Sequence, residues 1–122
     1  MNKLGSWANG GFIMYQNSLN ERIWGISANS TWYTRTASNI PENSWQFFAG
    51  TYSIKSGEMK HYLNSTVFST AFPTNVNINN AQPLIIMTNT GIGYIDNIRI
   101  YNRALLASEI FQIYNQTKGK YQ

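Results

Sequence analysis

Near the C-terminal end of this 122-residue chain, Gly93-Tyr94-Ile95-Asp96-Asn97-Ile98-Arg99-Ile100-Tyr101 is continued by Asn102-Arg103-Ala104-Leu105. Successive side chains of a strand point to opposite faces. A two-residue period then places Tyr94, Asp96, Ile98 and Ile100 on one face and Asn97 and Arg99 on the other. The stretch reads as a β-strand. The period changes directly after it. Within Ala107–Gln116, Ile110, Ile113 and Tyr114 fall at i, i+3 and i+4, the apolar stripe of a short amphipathic helix. Glu109 sits in its first turn, where a carboxylate favours the helix dipole. Lys118 follows the last turn, and Gly119 is positioned to release the chain.

Upstream, short alternating or aromatic runs recur between Asn, Gly, Pro and Ser. They are Gly11–Tyr15, Arg22–Ser27, Thr31–Thr36, Trp45–Tyr52, Glu58–Leu63, Thr66–Ser69 and Pro83–Thr88. Such short, turn-bounded runs describe an antiparallel sandwich or barrel rather than βαβ units. Lys55-Ser56-Gly57 is a hairpin loop, and Thr90-Gly91-Ile92-Gly93 separates the last two strands. Asn75–Gln82 reads as an extended crossing segment, and no internal repeat or linker interrupts the chain, so residues 1–122 form one expected domain.

Composition agrees. Sixteen Asn, eleven Ser and ten Thr accompany 15% aromatic residues, and only 11% of the chain is charged. Disordered chains lack aromatics; this composition belongs to short strands and polar turns. The net charge of +4 would admit an acidic partner, but the nine basic residues are scattered, and nucleic acid is not the expected partner. With no cysteine, disulfides, thiolate zinc sites and cysteine nucleophiles are excluded. No apolar run reaches the roughly 18 residues of a membrane span, and Asn2–Gln16 lacks the apolar core of a signal peptide. Three glycosylation sequons, at Asn29, Asn64 and Asn115, are about what chance gives in so Asn-rich a chain.

The stretch from Gly93 to Leu105, with Glu109-Ile110 and Ile113-Tyr114-Asn115 behind it, closely resembles the end of laminin-G-like domains of the concanavalin A-like lectin/glucanase superfamily. Upstream blocks agree in order. Trp45-Gln46-Phe47-Phe48-Ala49-Gly50-Thr51-Tyr52 is similar to the family's W-x-h-h-A-G-x-Y strand, and Lys60-His61-Tyr62-Leu63-Asn64-Ser65 to its L-Y-V-N-G hairpin. Pro83-Leu84-Ile85-Ile86 is similar to its P-L-x-I strand. The resemblance covers about residues 43–117 and implies an all-β, two-sheet antiparallel jelly-roll sandwich with one short C-terminal helix. The departures are specific. Asn64-Ser65 stands where the family turn is Asn-Gly, Leu106 replaces the helix-capping Ser, and Met87 replaces a Gly. The chain is also short at its N-terminal end for the family. The 93–101 strand then needs its open edge completed, by residues within Lys3–Asn9 or by a partner subunit.

The sequence offers little catalytic chemistry. Glycoside hydrolysis uses two carboxylates about 5 to 10 Å apart. Here Glu21, Glu42, Glu58, Asp96 and Glu109 are dispersed, and the superfamily's E-x-D-x-x-E motif is missing. His61, the only histidine, is expected on a hairpin strand, partly exposed, without a nucleophile elbow. The chain is therefore expected to be no enzyme and to carry no cofactor. Asp96 is expected to point inward and pin a loop by accepting backbone N–H groups. The sharper alternative is a calcium ligand, since some relatives carry such ions, although calcium wants six to eight oxygens and usually several carboxylates.

Aromatics carry the functional expectation. Trp24 and Trp45 are expected in the core. Trp32 and Tyr33, beside Asn29 and Arg35, form the expected ligand site: a flat face stacks on a sugar while Asn and Arg bond its hydroxyls. Trp7 with Asn9 is a second such pair. The expected function is a non-catalytic recognition module at a cell or virion surface, binding glycans or another surface protein. The alternative is a structural subunit of an extracellular filament, virion or adhesin that assembles through the open sheet edge.

Overall fold

The computed structural model describes residues 11–17, 19–74, 78 and 93–121. Among the described residues six strands build two three-stranded antiparallel meanders. β1 (Gly11–Gln16), β2 (Arg22–Ala28) and β3 (Thr31–Ala37) form the first, and β4 (Phe48–Ser53), β5 (Glu58–Leu63) and β6 (Thr66–Ala71) the second. A helix, α1 (Ala107–Thr117), follows and tightens into a 3₁₀ turn over Lys118–Lys120 rather than stopping at Gly119. The expected sandwich with one C-terminal helix is what the chain forms.

Asparagine makes the turns. Six of the seven non-glycine residues with positive φ among the described residues are Asn: Asn20, Asn29, Asn39, Asn43, Asn64 and Asn97, with Ser30 the seventh. Asn tolerates the left-handed region because its short side chain bonds locally. Ala28 pairs with Thr31 across the two-residue turn Asn29-Ser30, where φ is 49° and 60°. Positive φ at both central residues matches the right-handed twist of the flanking strands. In the second sheet Leu63 pairs with Thr66, but only Asn64 of Asn64-Ser65 takes positive φ. That hairpin therefore differs from the Asn-Gly turn of the resemblance.

Strand register decides what faces the interior. Trp24 pairs with Met14 and Arg35, and Gly50 with His61, which pairs in turn with Phe68. The interior between the sheets is divided. At one end Trp24, Ile26, Ala28, Met59 and Phe72 form an apolar cluster, joined by Tyr33, Tyr52, Ile54 and Ile78. At the other end stand Arg22, Arg35, Phe48, His61 and Phe68. Trp24 is the bolt between the sheets: its ring lies against Gly50, and its Nε1–H donates to the Thr51 carbonyl at 3.3 Å.

The helix covers the outer face of the second sheet, where Tyr62, Leu105 and Ile110 are buried with Phe47, Ala49, Phe111 and Ile113 around them. The anchor is Ile110, 4% exposed; Ile113 and Tyr114 are half-buried. Leu106 at the N-cap has no side-chain acceptor, but Glu109 accepts the Leu106 N–H at 2.8 Å and a bidentate pair from Arg103 at 2.7 and 2.8 Å.

Three expectations are corrected. Residues 93–101, read as a strand, have no regular secondary structure, and Tyr94, Ile98 and Ile100 are exposed. Asn97 at φ 56° breaks the extended run in its middle, and a strand exists only where its backbone groups are paired. Trp45 is not core but 47% exposed, because β4 starts three residues later. His61 is not partly exposed but fully buried, since it lies inward on the central strand of its sheet. The expected strand at 83–88, the crossing segment 75–82 apart from Ile78, and the Lys3–Asn9 edge with Trp7 and Asn9 lie outside the described residues.

Candidate functional site

An open concavity of about 500 Å³ lies between the loop before β4, the β5–β6 turn and the end of the chain, walled by Trp45, Tyr114 and Tyr121 and by the amides of Asn43, Gln46 and Asn64. Each wall has a local cause. Asn64, held in the left-handed region by its turn, accepts the Phe47 N–H through its side chain at 2.9 Å and donates its own N–H to the Phe47 carbonyl at 2.9 Å. Its Nδ2 donates to Gln46 at 2.6 Å, and Gln46 donates to Ser44 at 2.7 Å. One turn residue thus fixes the loop that carries Trp45.

The opposite wall is fixed by Asp96. Its Oδ2 accepts from the Tyr121 hydroxyl at 2.7 Å and from Lys120 Nζ at 3.0 Å, while Oδ1 accepts the Asn97 N–H at 2.7 Å. These bonds, led by that from Tyr121, hold the Asp96 carboxyl down at about 2. Tyr121, placed this way, stacks on Trp45 with ring centroids 4.7 Å apart, and Tyr114 rests on Phe47 at 5.4 Å. Asp96 is an exposed anchor that holds a side chain of the cleft, where the sequence reading expects an inward carboxylate that pins a loop. All its partners are donors. Among the described residues no three His, Asp or Glu groups converge where they could hold a metal ion.

Asp96→Asn is expected to lower the melting temperature and loosen the Trp45–Tyr121 stack. Chelation with EDTA should shift neither protein. The charge-assisted contribution is fully present above the ordinary carboxyl value of 3.8 and is lost as pH falls through about 2. Tryptophan fluorescence followed against pH and EDTA checks this; a loss of several degrees on chelation of the wild type would reinstate calcium.

The residues expected as a ligand site are placed differently. Asn29 is exposed at the β2–β3 turn, and Trp32 is half-buried on the outer face of the first sheet, against Gly25. Tyr33 points inward onto Phe72, with ring centroids 5.3 Å apart, and Arg35 shares that inner face. Strand alternation thus separates Trp32 from Tyr33 and Arg35. The cleft residues were missed as a group because they come from three distant parts of the chain. The sequence places Trp45 in a strand block as a core residue and Asn64 in a hairpin block and a sequon, which brings neither to a cleft.

A laminin G family model, described as concanavalin A-like lectin/glucanases superfamily, matches residues 3–111. The chain belongs to this superfamily. No curated protein sequence matches it. Among solved structures, it is similar to an S-layer domain-containing protein (residues 221–444) from Clostridium thermocellum, at 20% identity and a TM-score of 0.50. That match covers 88% of this chain and 57% of the other, so the chain spans little more than half the length of the solved domain. No helix among the described residues is long and apolar enough to cross a membrane.

Within this superfamily fold, all five side-chain carboxylates have partners. Glu21 accepts from Asn17 and Ser38, Glu42 from Asn20, and Glu58 pairs with Lys60. Asp96 and Glu109 are engaged as described. The described walls of the Trp45 cleft carry amides and phenols.

Proposed function

We propose that this chain is a non-catalytic recognition module of a surface protein and that it binds glycan in the Trp45 cleft. One observation carries the reading: an exposed indole, stacked with a phenol that is itself fixed by a carboxylate, stands in a concavity beside three side-chain amides. Sugars present apolar C–H faces and a rim of hydroxyls. An aromatic plate with fixed amide donors and acceptors complements both. The S-layer name of the solved neighbour supports a surface setting.

Trp45→Ala is expected to weaken binding of a glycan identified on an array by about 1 to 3 kcal/mol, by analogy with stacking losses on other aromatic platforms. Its exposure means that the fold should survive. Calorimetry on wild type, Trp45→Ala and Trp32→Ala decides the position. Loss in Trp32→Ala alone would move the site to the β2–β3 hairpin, with Asn29 beside it. The alternative, a structural subunit, is favoured by the exposed Tyr94, Ile95, Ile98 and Ile100. Light scattering on the same samples reads it: no glycan binding together with a rise in mass with concentration would replace recognition by assembly.

A further inference from the structure

Among the described residues no acidic side chain pairs with the cationic end of the interior. Arg22 from β2 and Arg35 from β3 are diagonal neighbours on the inner face of the first sheet, since Arg22 pairs with Ala37 and Trp24 with Arg35. Like charges so placed repel. His61 of β5 faces both across the layer, fully buried. Its Nδ1–H donates to the Arg35 carbonyl at 3.2 Å, which leaves Nε2 as the second ring nitrogen. That atom has no partner, and neither have Arg22 Nη1 and Arg35 Nε, all three of them buried.

Aromatic rings offset part of the charge. Arg22 lies 5.5 Å from the Phe48 centroid and Arg35 5.7 Å from that of Phe68, and these rings flank His61 at 5.3 and 6.1 Å. A ring face attracts a cation, but these buried N–H groups still lack an acceptor. Burying a polar group unpaired costs free energy that native proteins avoid. The chain has only five acidic side chains, and each is engaged elsewhere.

We propose that the Arg22–His61–Arg35 corner between the sheets binds an oxyanion group, a carboxylate or sulfate, supplied from outside the chain. Two guanidinium groups provide forked donors suited to paired oxygens, and His61 Nε2 gives a third donor once protonated. Without the anion, burial first and then the charges of Arg22 and Arg35 push the imidazole below its ordinary value of 6.5, against the raising effect of its bond to Arg35. The charged groups facing His61 are Arg22 and Arg35; β4 and β6 present Phe48 and Phe68. The corner is separate from the Trp45 cleft and does not depend on that reading.

Because His61 is the only histidine, one imidazole resonance reports the corner. The full chain is titrated with sodium sulfate against sodium chloride at matched ionic strength, then with methyl glucuronide against methyl glucoside. Sulfate is expected to move the His61 resonance saturably where chloride does not, and at least tenfold more weakly in Arg22→Gln and Arg35→Gln. Where glutamine unfolds the protein, Arg22→Lys and Arg35→Lys keep the charge, lose the fork and should still weaken the response. A response to glucuronide but not glucoside assigns the acid group of a glycan as the source; a response to sulfate alone assigns a free ion. Trp45→Ala should leave the response intact. A resonance that follows ionic strength alone, or saturates equally in the arginine variants, overturns the proposal.

Discussion

Gly50→Ala is expected to destabilise the protein by about 3 kcal/mol, the upper part of the range for overpacked cores. A Cβ at this position would lie 2.3 to 2.7 Å from three atoms of the Trp24 ring. The ring has no room to retreat. It is 4% exposed, touches Phe12 and Tyr52, and is tied to the Thr51 carbonyl through its Nε1–H. The added methyl group must therefore either tilt the indole or part the sheets, and both break the contact that joins them. Urea unfolding followed by tryptophan fluorescence measures the loss. The variant Gly25→Ala is its control, because a Cβ there meets only side-chain methyl groups at 3.2 Å and a ring atom at 3.5 Å. A loss under 1 kcal/mol for Gly50→Ala would mean that Trp24 does not bolt the layers together.

Ile110→Ala is expected to cost about 2 to 4 kcal/mol, in the range for a buried aliphatic truncated in a core. Ile110 is the one fully inserted residue of the helix, set against Tyr62 and Leu105. The truncation leaves a cavity between the helix and the outer face of the second sheet. Ile113→Ala should cost clearly less, because Ile113 is half-buried. Equal losses at the two positions would show that the helix has rotated about its axis. Losses below 0.5 kcal/mol at both would show it to be detached.

The hairpins were legible because everything that defines them is local. β5 has the expected bounds, and β1, β2, β3 and β6 differ only at their C-terminal ends, by one or two residues. Alternation and an Asn-containing turn are enough for a strand whose partner is the next segment of chain. The 93–101 stretch alternates as well as any of them. Alternation describes side-chain faces and says nothing about who accepts the backbone hydrogen bonds, and one Asn in the left-handed region was enough to break the run. The core Trp24 was legible for the same reason that Trp45 was not. Trp24 lies in a run of apolar neighbours on the middle strand of a meander, whereas Trp45 takes its position from Asn64 and Tyr121, both remote in sequence. The expected sugar site failed to assemble as one group because Trp32 and Tyr33 are adjacent, and adjacent residues in a strand face opposite ways. The half-buried cations have a signal in the sequence: Arg22 and Arg35 occupy the inward phase of strands that also turn Trp24, Ile26, Ala28 and Tyr33 inward.

The two meanders have a consequence for how quickly the chain reaches its native state. Every strand pairing described joins neighbours in sequence, β1 to β2 to β3 and β4 to β5 to β6. Each closure spans only a few residues, and hairpins of that kind zip in about 1 to 10 μs. All-β sandwiches are ordinarily slow because their pairings are distant along the chain and loop entropy is lost before contacts reward it. Here one distant event is the meeting of the two meanders, where the Trp24 ring lies against Gly50. For the six described strands the search is thus reduced from ordering strands to aligning two meanders, and Gly50 is where the Trp24 ring fits.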